Sequence, residues 1–175
     1  MPPLDIRWFN ALGFQLAWFS CLLLPGTVAL LTAALFIALH GLWPLARARY
    51  LLQVMMAAFL GMLVDLMFAL GGLLQFPDIT LGISLNLVAV WLCFATTLSL
   101  SLGWLHGRMG LCVLLGAVFG PLSYWGGSKL GAVAFPLGDV FTLALYSATW
   151  AVLLPLLVWV AQRPGLQFSP IKKGA

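Results

Sequence analysis

An all-α membrane bundle of six helices is the fold class this sequence predicts, and three observations predict it. Of its 175 residues 63% are hydrophobic and 7% charged, where a soluble domain carries roughly 25% charged residues. Near-continuous apolar runs recur six times, at about 8–24, 26–43, 51–74, 82–104, 110–130 and 139–162, each long enough to cross ~30 Å of hydrocarbon as a helix. The bases, finally, gather on alternate loops. Six spans of ~20 residues fill most of the chain and leave no room for a separate soluble catalytic domain, so residues 1–175 read as one membrane domain.

The breaks between runs carry helix-ending residues. Pro25-Gly26 separates the first two runs, which together far exceed one crossing and therefore form a tight hairpin. Pro44 and Arg47-Ala48-Arg49 follow the second run, Phe76-Pro77-Asp78 the third, His106-Gly107-Arg108 the fourth and Phe135-Pro136-Leu137-Gly138 the fifth. Placing alternate loops on opposite sides puts Arg7, Arg47, Arg49, Arg108, Arg163, Lys172 and Lys173 on one face, and only Lys129 on the other. By the positive-inside rule both termini are then cytoplasmic, with 163–175 a short basic tail. A cleavable leader is the competing reading of the N-terminus, but Asp5 beside Arg7 and the lack of a small-x-small site favour a retained first helix.

The net charge of +4 comes from bases scattered singly between apolar runs, which argues against a nucleic-acid partner. Cys21, Cys93 and Cys112 lie in or beside apolar runs without a C-x-x-C pair and read as small hydrophobes. His40 and His106 have no further ligand at metal spacing, so neither metal nor cofactor is expected.

Asp65 is the most informative residue, because an ionised carboxylate inside a span costs ~2.5–3.5 kcal/mol on insertion scales and needs a partner, water or a proton. Ala58, Gly61, Ala69 and Gly72 share its helical stripe, so this face should meet another helix. The carboxylate either carries a proton or ligand, or locks neighbouring helices together. Asn86, Cys93, Thr97 and Ser101 form a polar seam on the fourth run, with Asn86 its best site candidate. Gln15 lies deep in the first run beside Trp18, with Asn10 nearer the cytoplasmic edge.

In the fifth run Gly116 and Gly120 make a GxxxG pair, Tyr124 and Gly127 continue that face, and Pro121 invites a kink. Lys129 lies off this face, four residues after Trp125, so the register argues against an Asp65–Lys129 ion pair and for a lysine snorkelling at the interface. The candidate polar site is thus Asp65, Asn86, Tyr124, Lys129 and Gln15, with Gly61, Gly72, Gly116, Gly120, Pro121 and Gly127 assigned to helix packing.

Phe14-Gln15 with Trp18, Asp65 with Gly71-Gly72, Phe94-Ala95-Thr96-Thr97-Leu98 with Trp104-Leu105, Gly120-Pro121-Leu122-Ser123-Tyr124, Leu130-Gly131-Ala132 and Leu154-Pro155-Leu156 together resemble a domain-of-unknown-function family of small bacterial inner-membrane proteins. The resemblance implies location in the bacterial inner membrane and genes placed beside fatty-acid-modifying enzymes. It therefore implies an accessory role in lipid modification or envelope stress, with membrane lipids and a lipid-modifying enzyme as partners. Where members of that family often carry a polar or histidine residue after Thr-Thr-Leu, this chain has Ser99-Leu100, which argues against a histidine-based mechanism. The alternative is a small-molecule binding or transport subunit with a polar outer-half cavity. An intramembrane enzyme using Asp65 is weaker, since no nucleophile, metal or partner base completes a site. The oligomeric state is not readable from the sequence.

Overall fold

A computed structural model describes residues 4–40, 47–77, 79–80 and 83–163. Asp78, Lys172 and Lys173, with the tail beyond Arg163, lie outside the described residues. The described residues form six α-helices: α1 (Leu4–Leu23), α2 (Gly26–His40), α3 (Arg47–Leu70), α4 (Leu85–Thr97), α5 (Met109–Lys129) and α6 (Asp139–Ala161). A two-residue hairpin, β1 (Ile79–Thr80) against β2 (Ile83–Ser84), precedes α4 in antiparallel register, Ile79 opposite Ser84. Among the described residues three helical stretches, Tyr50–Leu70, Met109–Lys129 and Asp139–Ala161, are long and apolar enough to cross a membrane, while α2 and α4 are apolar but shorter. Large apolar side chains cover the outside, with Leu16 75%, Leu70 81% and Val140 85% exposed, a surface suited to hydrocarbon rather than water.

Two runs end earlier as helices than their hydropathy suggests. The third stops at Leu70 because Gly72 takes φ 73°, so that its N–H bonds Ala69 O and the Leu73 N–H bonds Phe68 O, the paired bonds of a glycine-terminated helix. Gly72 is therefore an exposed turn residue and not part of the packing stripe on which Gly61 and Asp65 sit. The fourth run, read as one span over 82–104, is helical for 13 residues only. Ser84 starts it, its side chain accepting the Leu87 N–H at 3.1 Å. At the other end the Thr96 and Thr97 hydroxyls turn back onto Cys93 O and Phe94 O and compete with the ladder. Residues 98–105 continue as turns ending in the 3-10 turn Gly103–Leu105, with Leu98, Leu100 and Leu105 fully buried.

The central helix α4 packs against α1, α2 and α3, α5 lies along α6, and α6 returns to α3. Ala17 and Cys21 of α1, Ala29 and Ala33 of α2, and Ala89 and Cys93 of α4 make one core of small side chains, which lets three helices approach closely. A larger core joins Ala57 and Ala58 of α3, Trp91 and Ala95 of α4, and Tyr146, Trp150 and Leu154 of α6.

The α3–α4 and α5–α6 hairpins are two copies of one pattern. At a single constant offset Gly61 matches Gly120, Asp65 matches Tyr124, Gly72 matches Gly131, Phe76-Pro77 matches Phe135-Pro136, and Trp91 matches Trp150. The geometry repeats too. A Cβ on Gly61 would overlap the Trp91 ring, and one on Gly120 the Trp150 ring. Gly72 and Gly131 end their helices at φ 73° and 78°. Matched residues also meet one another. Trp91 stacks on Trp150 at 5.6 Å and 8°, Gln75 bridges Ala134, and Tyr124 bonds Asp65.

Candidate functional site

Asp65 is fully buried on α3 and receives three donors from three other helices. The Trp91 Nε1–H of α4 reaches Oδ2 at 2.6 Å, the Tyr146 hydroxyl of α6 reaches Oδ1 at 2.6 Å, and the Tyr124 hydroxyl of α5 lies 2.6 Å from both oxygens. A carboxylate offers about four acceptor sites and no proton, so one side chain satisfies three donors and ties α3 to α4, α5 and α6. Ring contacts close the cage, with Tyr124 and Tyr146 4.2 Å apart and Phe68 4.5 Å from Tyr146. Gly61, one turn earlier, leaves the space that the Trp91 ring fills.

The matched position in the second hairpin explains an unpaired group. Trp91 donates to Asp65, but its counterpart Trp150 faces a repeat whose equivalent residue is Tyr124, already committed to Asp65. The Trp150 Nε1 atom is buried without a hydrogen-bond partner among the described residues.

A second polar cluster holds the broken end of α4. Buried Asn10 uses its whole amide: Nδ2 donates to Thr96 Oγ1 and to His40 Nε2, each at 3.0 Å, and Oδ1 accepts from the Ser101 hydroxyl at 2.6 Å and the Ser101 N–H at 3.2 Å. His40 donates from Nδ1 to Phe36 O at 2.6 Å, leaving Nε2 as the acceptor that Asn10 needs. Gln53 donates to Ala95 O and accepts from Ser99 Oγ, and the His106 Nε2–H reaches Leu98 O at 2.9 Å. Both imidazoles are thus occupied in supporting backbone. Among the described residues no group of three His, Cys, Asp or Glu is placed to hold a metal ion.

Between α1 and α5, with α4 as its floor, lies a groove of about 1010 Å³, at the upper end of ordinary small-molecule sites, ~300–1,000 Å³. Its walls are largely apolar and carry aromatic rings from four helices, among them Phe14 and Trp18 of α1, Trp91 and Phe94 of α4, Phe119 of α5 and Trp150 of α6. One end is narrowed where Trp18 and Leu22 reach Gly126 and Gly127 of α5. Arg7 and Trp8 line the other end, as does Trp104.

The candidate residues divide clearly. Tyr124, Gln15 and Asn86 line this groove, and Asn86 also donates to Leu24 O at 3.0 Å. Asp65 lies behind the groove wall, screened by Tyr124 and Trp91. Lys129 is apart from all of them: it pairs with Asp139 at 3.3 Å on the exposed surface and lies 5.6 Å over the Trp125 ring. Gly116 and Gly120 pack on Trp150, with the Trp150 carbonyl against Gly116. Pro121 is buried within a continuous α5, and Gly127 lines the groove. The polar seam is divided, since Thr97 and Ser101 line the groove while Cys93 is buried against α1 and α2. Sequence reasoning missed Trp91, Tyr146 and Gln53. The fixed offset between Asp65 and Tyr124, and between Trp91 and Trp150, was the available signal for the first.

No curated protein and no solved structure matches the chain. A family model matches residues 7–156, which takes in the α3–α4 hairpin, the α5–α6 hairpin up to the last turn and a half of α6, the Asp65 cage and every residue lining the groove. The chain belongs to the protein family of unknown function DUF2878.

Proposed function

We propose that this is a six-span protein of the bacterial inner membrane, with both termini cytoplasmic, that acts as a non-catalytic lipid-binding component beside enzymes that modify membrane lipids. The observation that carries the reading is the aromatic groove between α1 and α5. A lipid chain entering between the two helices would exchange bilayer contacts for flat, rigid ring surfaces. The stacked Trp91–Trp150 pair forms the floor, and the Asp65 cage holds that floor in place by fixing Trp91. Arg7, Arg108 and Arg163 at one end of the bundle support a cytoplasmic assignment for that end. The span formed by α4 is completed by the packed segment 98–105. The non-catalytic reading is supported by Asp65, which is saturated by donors and screened from the groove, and by the Thr97 and Ser123 hydroxyls, which bond backbone carbonyls.

A second reading, a solute-binding or transport subunit, is favoured by one observation: Gln15, Asn86 and Tyr124 line the same groove. Membrane fatty-acid and phospholipid profiles of a deletion strain separate the two, with complementation by wild type, Asp65→Asn or the groove-filling Ala11→Phe at matched protein level. The lipid reading expects an altered profile on deletion, restored by wild type and by Asp65→Asn but not by Ala11→Phe. An unaltered profile, with a polar solute copurifying, would favour the second reading.

A further inference from the structure

The donors around Asp65 satisfy its lone pairs without neutralising its charge. Trp91, Tyr124 and Tyr146 are all uncharged side chains, and the two phenols bond it at 2.6 Å, the length of a charge-assisted O–H···O⁻ bond. Among the described residues no Lys, Arg or His touches Asp65, and the ion pair they form joins Lys129 to Asp139 on the surface. A carboxylate held in an apolar interior without a counter-charge favours any cation that can come near it.

The groove brings a cation near. Tyr124 presents its ring on the groove lining while its hydroxyl lies 2.6 Å from both Asp65 oxygens, so the carboxylate sits one phenol behind the surface. A phenol that donates to an anion gains electron density, which deepens the negative ring face that attracts cations. Trp91, bonded to the same carboxylate, lines the groove beside Phe94 and Trp150, and Phe94 stands edge-on to both indoles at 5.7 Å and 5.6 Å. The base on this lining is Arg7, which is engaged within the chain. From Arg7 to Trp18 the helix rise is ~16 Å, and Trp18 meets α5 at Gly126, next to the level of Tyr124.

We infer that the groove takes a lipophilic organic cation, such as a quaternary ammonium or phosphonium with apolar substituents, its charge over the Tyr124 ring and opposite Asp65. This goes beyond lipid-chain binding, because it stands on the charge of Asp65, which that reading does not use. A strongly hydrated inorganic cation fits poorly, since no acidic side chain lines the groove among the described residues to replace the water it would shed. A cation of diffuse charge sheds little, and about 1010 Å³ accommodates a drug-sized molecule. An anion of the same shape would meet the same rings and be repelled by the same carboxylate.

Tetraphenylphosphonium and tetraphenylborate share one shape and carry opposite charges, so equilibrium dialysis of each against the full chain in neutral detergent micelles reads the sign of the site, with empty micelles as baseline. Wild type should bind tetraphenylphosphonium saturably and tetraphenylborate no better than empty micelles do. Asp65→Asn, which keeps the side-chain volume, should weaken tetraphenylphosphonium about tenfold, and Ala11→Phe should abolish its binding with Asp65 intact. Equal saturable binding of the two ions by wild type overturns the inference, a comparison that needs no variant to fold. Undiminished tetraphenylphosphonium binding by Asp65→Asn or by Ala11→Phe overturns it too. The lipid-chain reading survives a failure at Asp65, because it expects Asp65→Asn to behave as wild type.

Discussion

Replacing Asp65 by leucine removes the acceptor shared by three donors and leaves the Trp91 N–H and the Tyr124 and Tyr146 hydroxyls facing an apolar side chain. Interhelical hydrogen bonds in membrane proteins average ~0.6 kcal/mol and reach ~1.7 kcal/mol, so three of them at 2.6 Å are worth about 2–5 kcal/mol. Asp65→Asn should behave quite differently. The indole N–H can only donate, so the amide oxygen must face Trp91, but a tyrosine hydroxyl can accept as well as donate. Tyr146 can turn to accept from the new amide, and the loss is about 1 kcal/mol. Reversible unfolding in mixed micelles, followed by tryptophan fluorescence, measures both variants. Equal destabilisation by leucine and asparagine would refute the donor-geometry argument, and a leucine variant within ~0.5 kcal/mol of wild type would refute the cage itself.

The tryptophan pair gives a sharper comparison, because Trp91→Phe and Trp150→Phe remove the same ring area but only the first breaks a hydrogen bond. Trp91→Phe should cost ~0.6–1.7 kcal/mol more than Trp150→Phe in the same unfolding assay, and equal losses would contradict the asymmetry of the repeat. Gly116→Ala and Gly120→Ala place a methyl group inside the Trp150 backbone and ring respectively and should cost ~1–3 kcal/mol each. Gly127→Ala, whose new carbon meets its nearest neighbours at 3.6 Å and 3.8 Å, should change stability by less than ~0.5 kcal/mol. Asn10→Ala strands the Ser101 N–H and the Thr96 and His40 acceptors, and should cost ~1–3 kcal/mol with faster hydrogen–deuterium exchange over 98–105. Unchanged exchange there would mean that Asn10 does not hold the segment.

Much of the architecture was legible because hydropathy acts locally. Six apolar runs became six helices, with Pro25-Gly26 and Phe135-Pro136 at their turns. What hydropathy misses is backbone conformation within an apolar run. Leucines continue through 98–105 and 71–74, yet Thr96, Thr97 and Gly72 end the helices by local hydrogen bonding and positive φ. Asp65 was recognisable as a residue needing partners, and Tyr124 as a member of a notable face. Their meeting was not, since helical spacing says which side a residue occupies but not which helix lies opposite. Trp91 and Tyr146 read as ordinary interior aromatics until packing brought them to the carboxylate. Lys129 followed its local signal, the tryptophan four residues earlier, and stayed at the surface. The groove itself left no trace in periodicity, because it lies between α1 and α5, helices far apart in sequence.

Occupation of this groove by a lipid chain is tested by photo-crosslinking in native membranes. A phospholipid carrying a diazirine along its acyl chain would be activated, and the labelled residues mapped by peptide mass spectrometry. Adducts should concentrate on Phe14, Trp18 and Phe119, and be lost in Ala11→Phe. Adducts spread over outward-facing residues such as Leu16, Leu70 and Val140, with no excess in the groove and no response to Ala11→Phe, would contradict it.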